Sequence, residues 1–416
     1  MAYARWQPGA PELSDTRTLS VGIETDLLRG NMTGIANYSF HLLQALLEQN
    51  EGLRYSGFSN LFWHPLTLNT LRNDFQAKDP DESGGVAPGM TFQAKAAIRA
   101  RLARSAALRA LRHKIRRQRF ASTVAKQPID IFHALNFLPM SDPGVPVLPT
   151  VYDLSFVRYP GAHPDDRLRR LERLAETVLK APLVQTISEF SKNEIADVYG
   201  VPRDKIFVAP PAASKLYRPL GSEITAHDLR RFNIQAGGYF LMVGTLEPRK
   251  NLRTVISAYA KLPHSVRQFA PLVIVGGKGW GQLNLPPETS SLVSDGTLRF
   301  LGAVSDAGLR SLYEGAIALL FPSIYEGFGM PVVEALACGT LSAHSVNTAM
   351  DEISDTHAIR VAAMDVDAWY NTMLKLLDDK AINAEQRQAR VAQSMTFSWA
   401  RSAQEVSTAY KTLAGL

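Results

Sequence analysis

Cysteine is nearly absent from this chain. Cys338 is the only one among 416 residues, so neither an intrachain disulfide nor a cysteine-built zinc site can form, as suits a reducing compartment. It sits in Ala335-Leu336-Ala337-Cys338-Gly339-Thr340 with no basic residue beside it, which reads as a packing residue rather than a nucleophile. Long apolar runs are missing as well. No stretch reaches the roughly 20 residues of a membrane-spanning helix, and Met1 to Asp15 lacks the apolar core of a signal peptide, so a cytoplasmic protein is expected. Acidic residues are missing from one place in particular. Phe92 to Phe120 contains no Asp or Glu, yet it carries ten cations: Lys95, Arg99, Arg101, Arg104, Arg109, Arg112, Lys114, Arg116, Arg117 and Arg119.

In that basic stretch Ile98, Leu102, Leu108, Leu111 and Ile115 recur at roughly helical intervals, the pattern of an amphipathic helix. Such a helix suits the anionic surface of a membrane, and equally a helix packed on its own domain with a solvated basic face. No motif or aromatic stacking series accompanies the charge, so no nucleic acid is expected. The net charge of +6 is lopsided: residues 1–219 hold 28 Lys+Arg against 21 Asp+Glu, and 220–416 hold 17 against 18. Hydrophobic residues make up 46% and charged ones 20%, a globular composition long enough for two domains.

The chemistry concentrates in Ser323-Ile324-Tyr325-Glu326-Gly327-Phe328-Gly329-Met330-Pro331-Val332-Val333-Glu334-Ala335. The apolar run Ala316 to Phe321 leads into two glycines around a phenylalanine, and Pro331 suits the first turn of a helix. A strand, tight turn and helix N-terminus would aim unpaired N–H groups and a positive dipole at an anion. Glu326 and Glu334 bracket the junction. Amides that seek phosphate beside carboxylates that accept from hydroxyls point to a nucleotide sugar. A second anion site stands in Thr245-Leu246-Glu247-Pro248-Arg249-Lys250-Asn251. Cations just ahead of a helix are badly placed for its dipole, whereas a guanidinium fork and an ammonium together suit a diphosphate. Upstream, the apolar strand Leu19 to Glu24, a loop and a helix opening at Gly34, with Tyr38, Leu42, Leu43, Leu46 and Leu47 at helical spacing, give a Rossmann-type start.

The Glu-x7-Glu spacing around Glu-Gly-Phe-Gly-Met-Pro resembles the signature of glycosyltransferase family 4, and Pro248-Arg249-Lys250 resembles that family's diphosphate site. The resemblance implies an α/β chain of the GT-B fold, two Rossmann-like domains facing an interdomain cleft with a C-terminal helix crossing back. The expected domains are 1–215 on the acceptor side, 216–395 for the nucleotide sugar, and 396–416 as the returning helix; the linker is expected at 210–236. Implied donor contacts are Gly34, Arg249, Lys250, Glu326, Gly327, Phe328, Gly329, Met330 and Glu334, with Glu326 on the sugar and Glu334 on the ribose. Glu326, Arg249, Lys250 and Asp153 make up the implied catalytic set. The family usually has His-Asp where this chain has Tyr152-Asp153. Tyr152 can donate a hydrogen bond but is a poor base, and His133 is the other polar group expected at that cleft.

The implied reaction is transfer of a hexose from a nucleotide sugar, with retention, to a glycan or lipid-linked acceptor in bacterial surface polysaccharide synthesis. Gly-Thr-Leu-Glu-Pro-Arg-Lys-Asn resembles mannosyl- and rhamnosyltransferases of lipopolysaccharide-type polymers, which points to GDP-mannose. No cofactor or metal is expected, because Asp365-Val366-Asp367 precedes a helix that these acids would cap. The protein could then work peripherally on the inner membrane face. A sugar-nucleotide epimerase or phosphorylase, and a silent nucleotide-sugar-binding protein, are the other readings compatible with the same cleft.

Overall fold

The computed structural model describes residues 18–29, 34–49, 52–75, 106–279, 281–378 and 384–416. The first part of the basic stretch, with Lys95, Arg99, Arg101 and Arg104, lies outside the described residues.

Short strands with apolar cores build the first domain. β1 Ser20–Glu24, β2 Arg54–Ser59, β3 Phe62–Pro65, β4 Ile131–Ala134 and β5 Val147–Pro149 form a sheet in the order β3-β2-β1-β4-β5, parallel except for β2 with β3. The parallel pair β6 Val184–Thr186 and β7 Ile206–Val208 adjoins it through a bridge from Thr150 to Gln185. The second sheet comprises β8 Phe240–Val243, β9 Leu272–Val275, β10 Leu298–Gly302, β11 Ala318–Phe321, β12 Ser342–Ser345 and β13 Ala358–Val361. It is parallel throughout, in the order β10-β9-β8-β11-β12-β13. β9 and β11 are buried along their whole length. Helices cover both faces of such strands, which is why they read as unbroken apolar runs. In both sheets the order reverses beside the first strand, leaving a crevice at the carboxyl ends of β1 and β4, and of β8 and β11.

The expected linker at 210–236 is shorter than its prolines suggested. Ser222–Leu229 is a helix that packs Thr225 and Leu229 inward. Glu314 accepts hydrogen bonds from the Leu220 and Gly221 amides at 3.0 and 2.9 Å and from Thr225 Oγ1 at 2.7 Å, so the chain is tied to the second domain from Leu220 onward.

The last helix, Trp399–Leu413, lies on the first domain against the helix Gly34–Gln49. Trp399 meets the Tyr38 ring and stacks on His41, each at 5.3 Å between centroids. Burial of its apolar face, Ala403, Val406, Ala409 and Tyr410, holds it there.

Candidate active site

β11 gives way to the helix Met330–Ala337 through a turn capped by Gly329, with Pro331 in the first helical turn. Gly329 has φ 117°, a conformation that favours glycine. Glu326 is buried in this turn between two cations. Its Oε1 accepts from Lys250 Nζ at 2.7 Å and its Oε2 lies 3.0 Å from Arg249 Nη1. Burial alone would push the carboxyl up, but Arg249 and Lys250 outweigh it and hold Glu326 down at about 2.

Arg249 is not the open fork expected from its place beside Lys250. Its Nη1 donates to Tyr325 O at 2.5 Å and its Nη2 to Glu247 Oε1 at 2.6 Å, so both ends of the guanidinium are committed within the protein. Lys250 gives Glu326 one of its three N–H donors and lies 4.8 Å from the Phe321 ring centroid. Glu247 was not legible as a site residue: only the 3-10 turn Pro248–Lys250 folds it back onto the guanidinium two positions later.

The same turn meets the first domain. Gly327 O accepts from Ser188 Oγ at 2.6 Å and Ser191 Oγ at 3.2 Å. Tyr325 donates its hydroxyl to Glu194 Oε2 at 2.5 Å and accepts from the Leu154 amide at 2.9 Å. Ser188 also caps the helix Glu189–Tyr199 by accepting from the Ser191 amide, as its sequence context predicts. From the other domain Glu352 accepts the Glu189 and Phe190 amides of that helix at 3.1 and 3.3 Å. A Cβ on Gly327 would lie 2.4 Å from Tyr152 O and 2.7 Å from Asp153 Cβ, so the backbone of one domain rests directly on that of the other.

Two expected cleft residues are elsewhere. Tyr152 is buried, its hydroxyl donating to Leu135 O at 2.7 Å, and its ring packs against Tyr38 and Phe137. Burial pushes that hydroxyl well above its usual range. His133 is wholly buried with Nδ1 2.6 Å from the Tyr410 hydroxyl and Nε2 2.8 Å from Thr150 Oγ1. Burial drives its imidazole down to about 3, so it is a neutral strut between sheet and last helix. Both side chains spend their polar atoms inside the protein. Asp153 does lie at the domain junction, where Oδ1 accepts from the Ser155 amide and hydroxyl at 2.9 and 2.6 Å.

Gly34 opens its helix, and among the described residues nothing beyond its chain neighbours and its own helix backbone lies within 4 Å of where a Cβ would stand. Phe328 turns its ring inward, 5.5 Å from Phe397, leaving only its backbone for a ligand. Glu334 accepts from the Tyr313 hydroxyl at 2.8 Å, and burial raises its carboxyl to about 8. Asp365 Oδ1 accepts from the Ala368 amide at 2.9 Å, the cap expected of it, and Asp367 pairs with Lys261 at 2.6 Å.

The family described as glycosyl transferases group 1 matches residues 230–395, the span holding Arg249, Lys250, Glu326 and Glu334. O-antigen chain mannosyltransferase B of Escherichia coli is 34% identical over 265 residues, 64% of this chain and 70% of that one. The chain belongs to the group 1 glycosyltransferases. Serotype-specific mannosyltransferase WbdA of Escherichia coli is 29% identical over 257 residues, which cover 59% of this chain but 30% of that longer protein. Among solved structures, Anabaena HepE in complex with UDP and glucose superposes with a TM-score of 0.66 at 15% identity, over 96% of this glycosyltransferase and 100% of HepE. WaaG, a glycosyltransferase involved in lipopolysaccharide biosynthesis, gives 0.65 at 13% identity, over 96% and 100%. The fold is GT-B, and the protein is a glycosyltransferase.

Proposed function

We propose that the enzyme transfers mannose from GDP-mannose, with retention, to a hydroxyl of a glycan or lipid-linked acceptor in bacterial surface polysaccharide synthesis. The observation that carries the donor site is Glu326, kept ionised between Lys250 and Arg249 at a helix N-terminus where the two domains meet. In this reading Glu326 accepts from sugar hydroxyls. Lys250 and the amides of Gly327 to Met330 face the leaving diphosphate, and Arg249 adds its charge while fixing the carboxylate. Preorganised charge of this kind acts where negative charge develops in the transition state. Asp365 and Asp367 being committed elsewhere, charge neutralisation is assigned to these groups. Glu334 takes the ribose. The departing phosphate helps to deprotonate the acceptor, so the reading needs no protein nucleophile. The choice of mannose draws on the resemblance to the O-antigen mannosyltransferase.

A thermal-shift panel of nucleotide sugars tests the donor. GDP-mannose at 100 times its Kd should stabilise the fold by about 2.7 kcal/mol, with UDP-glucose and UDP-galactose inert. An equal shift from a uridine sugar would overturn the assignment of both base and sugar.

An anionic membrane surface is the partner we assign to the helix Ala106–Val124. Leu111 and Ile115 are 56% and 44% exposed among exposed Arg112, Lys114, Arg117 and Arg119, with Phe62 exposed nearby under Arg119. Apolar side chains inside a cationic face suit insertion among anionic headgroups. Co-sedimentation with phosphatidylglycerol vesicles should be strong at low salt and fall several-fold in 0.5 M salt; equal binding to neutral vesicles would refute it.

A further inference from the structure

Tyr325 stands directly before Glu326 in the signature, and the transfer described above gives its side chain no task. That side chain leaves the second domain altogether. Its ring enters a socket of the first domain between Tyr159 and Phe190, 5.7 Å from each by centroid, and the residue is only 4% exposed. Phenylalanine would fill the same socket, so what distinguishes tyrosine here is the bonding of its hydroxyl.

The hydroxyl donates to Glu194 Oε2 and accepts from the Leu154 amide, so it is used both as donor and as acceptor inside the socket. Burial, with Asp153 and Glu194 nearby, pushes it far above its usual range and keeps it neutral. Glu194 is itself fixed, because its Oε1 accepts from Arg158 Nε at 2.7 Å. The acceptor for the tyrosine proton is thus held in one place.

These bonds join the two halves of the charged site. Tyr325 adjoins Glu326 and Leu154 adjoins Asp153, so the 2.9 Å bond from the Leu154 amide to the tyrosine oxygen ties together one segment from each domain. In the second domain the backbone carries the constraint onward. Ile324 N donates to Arg249 O at 2.9 Å and Arg249 Nη1 donates to Tyr325 O at 2.5 Å, on either side of the anchored residue. In the first domain Asp153 is fixed by Ser155, and its charge acts on Arg249 across the junction. A shift of the ring in its socket is therefore felt at Asp153, Arg249 and Glu326 together.

We propose that Tyr325 and Glu194 are positioning residues for glycosyl transfer: the Tyr325 hydroxyl, held by Glu194, sets where Asp153 stands relative to Glu326 and Arg249 when the two domains dock. This rests on the transfer reading given above. It adds that the rate of the chemical step, and not the affinity for the donor, depends on the socket, since neither side chain is among the donor contacts.

The test is nucleotide release by the full chain from GDP-mannose and from UDP-glucose with water as acceptor, beside donor affinity by calorimetry. In this hydrolysis the bond from the anomeric carbon to the diphosphate oxygen breaks, water giving its hydroxyl to the sugar and its proton to the leaving group. Tyr325→Phe, which keeps the ring in place, should lower kcat at least tenfold with donor Kd within twofold of wild type. Glu194→Ala should match it, while Glu194→Gln, which still offers an acceptor, should stay within threefold of wild type. The double variant Tyr325→Phe with Glu194→Ala should be no slower than either single one, because each removes the same contact. Wild-type kcat in Tyr325→Phe, additive losses in the double variant, or a donor Kd that rises as far as kcat falls would overturn the assignment. Release from UDP-glucose that drops in Tyr325→Phe, with GDP-mannose inert, would uphold the positioning role and sink the donor reading instead.

Discussion

Gly327→Ala is expected to lower kcat by about two orders of magnitude while the protein melts within a few degrees of wild type. The φ of Gly327 is not positive, so alanine suits its own turn, and stiffening the unfolded chain even favours folding slightly. The obstacle is in the other domain. The new methyl would stand 2.4 Å from Tyr152 O and 2.7 Å from Asp153 Cβ, both backbone-proximal atoms that cannot swing aside. Tyr152 is anchored by its hydroxyl and ring in the first domain's core, so the domains must part by about an ångström. Misplacement on that scale costs about 10²-fold in a reaction that depends on alignment. Single-turnover kinetics beside a melting curve decides it: wild-type kcat would show that the contact between Gly327 and Tyr152 is not part of the reacting state.

Lys250→Ala should cost 10² to 10³ in kcat, about 2.7 to 4 kcal/mol of transition-state stabilisation, as for loss of one preorganised donor. Glu326→Ala should differ in kind. It leaves Arg249 and Lys250, with side chains 16% and 13% exposed, without a shared carboxylate, and removing one partner of a buried pair destabilises by about 3–5 kcal/mol. Because these buried charges sit at the cleft rim rather than in a closed core, the lower end is expected. The pH profile separates the roles. With Glu326 held at about 2 by the two cations, it should put no acid limb into kcat above pH 4 in the wild type. Lys250→Ala removes one of the two cations, so the carboxyl must rise and an acid limb should move toward neutral pH. An unchanged profile with near-normal kcat would remove Lys250 from the mechanism.

Much of this architecture was legible because parallel strands are buried on both faces. Runs such as Phe240-Leu241-Met242-Val243 and Ala318-Leu319-Leu320-Phe321 announce themselves, and the glycine-rich turn after the second fixes where a helix must start. β3 was not legible. It is an exposed edge, Phe62-Trp63-His64-Pro65, with no buried residue to mark its pairing. Tyr152 and Asp153 show how a motif misleads when read without its pleat. Successive side chains of an extended segment point opposite ways, so Asp153 at the domain junction places Tyr152 in the core. His133 carried no local sign of its fate, since its partner Tyr410 lies 277 positions away.

The contact of His133 with Tyr410 also bears on how the protein is made. The Nδ1 of a β4 histidine and the Tyr38 ring of the Gly34–Gln49 helix each need the last helix in place. During translation the first domain therefore emerges with part of its core open, and it stays so while the second domain is synthesised and can fold. Of these two domains, the one translated earlier is completed later.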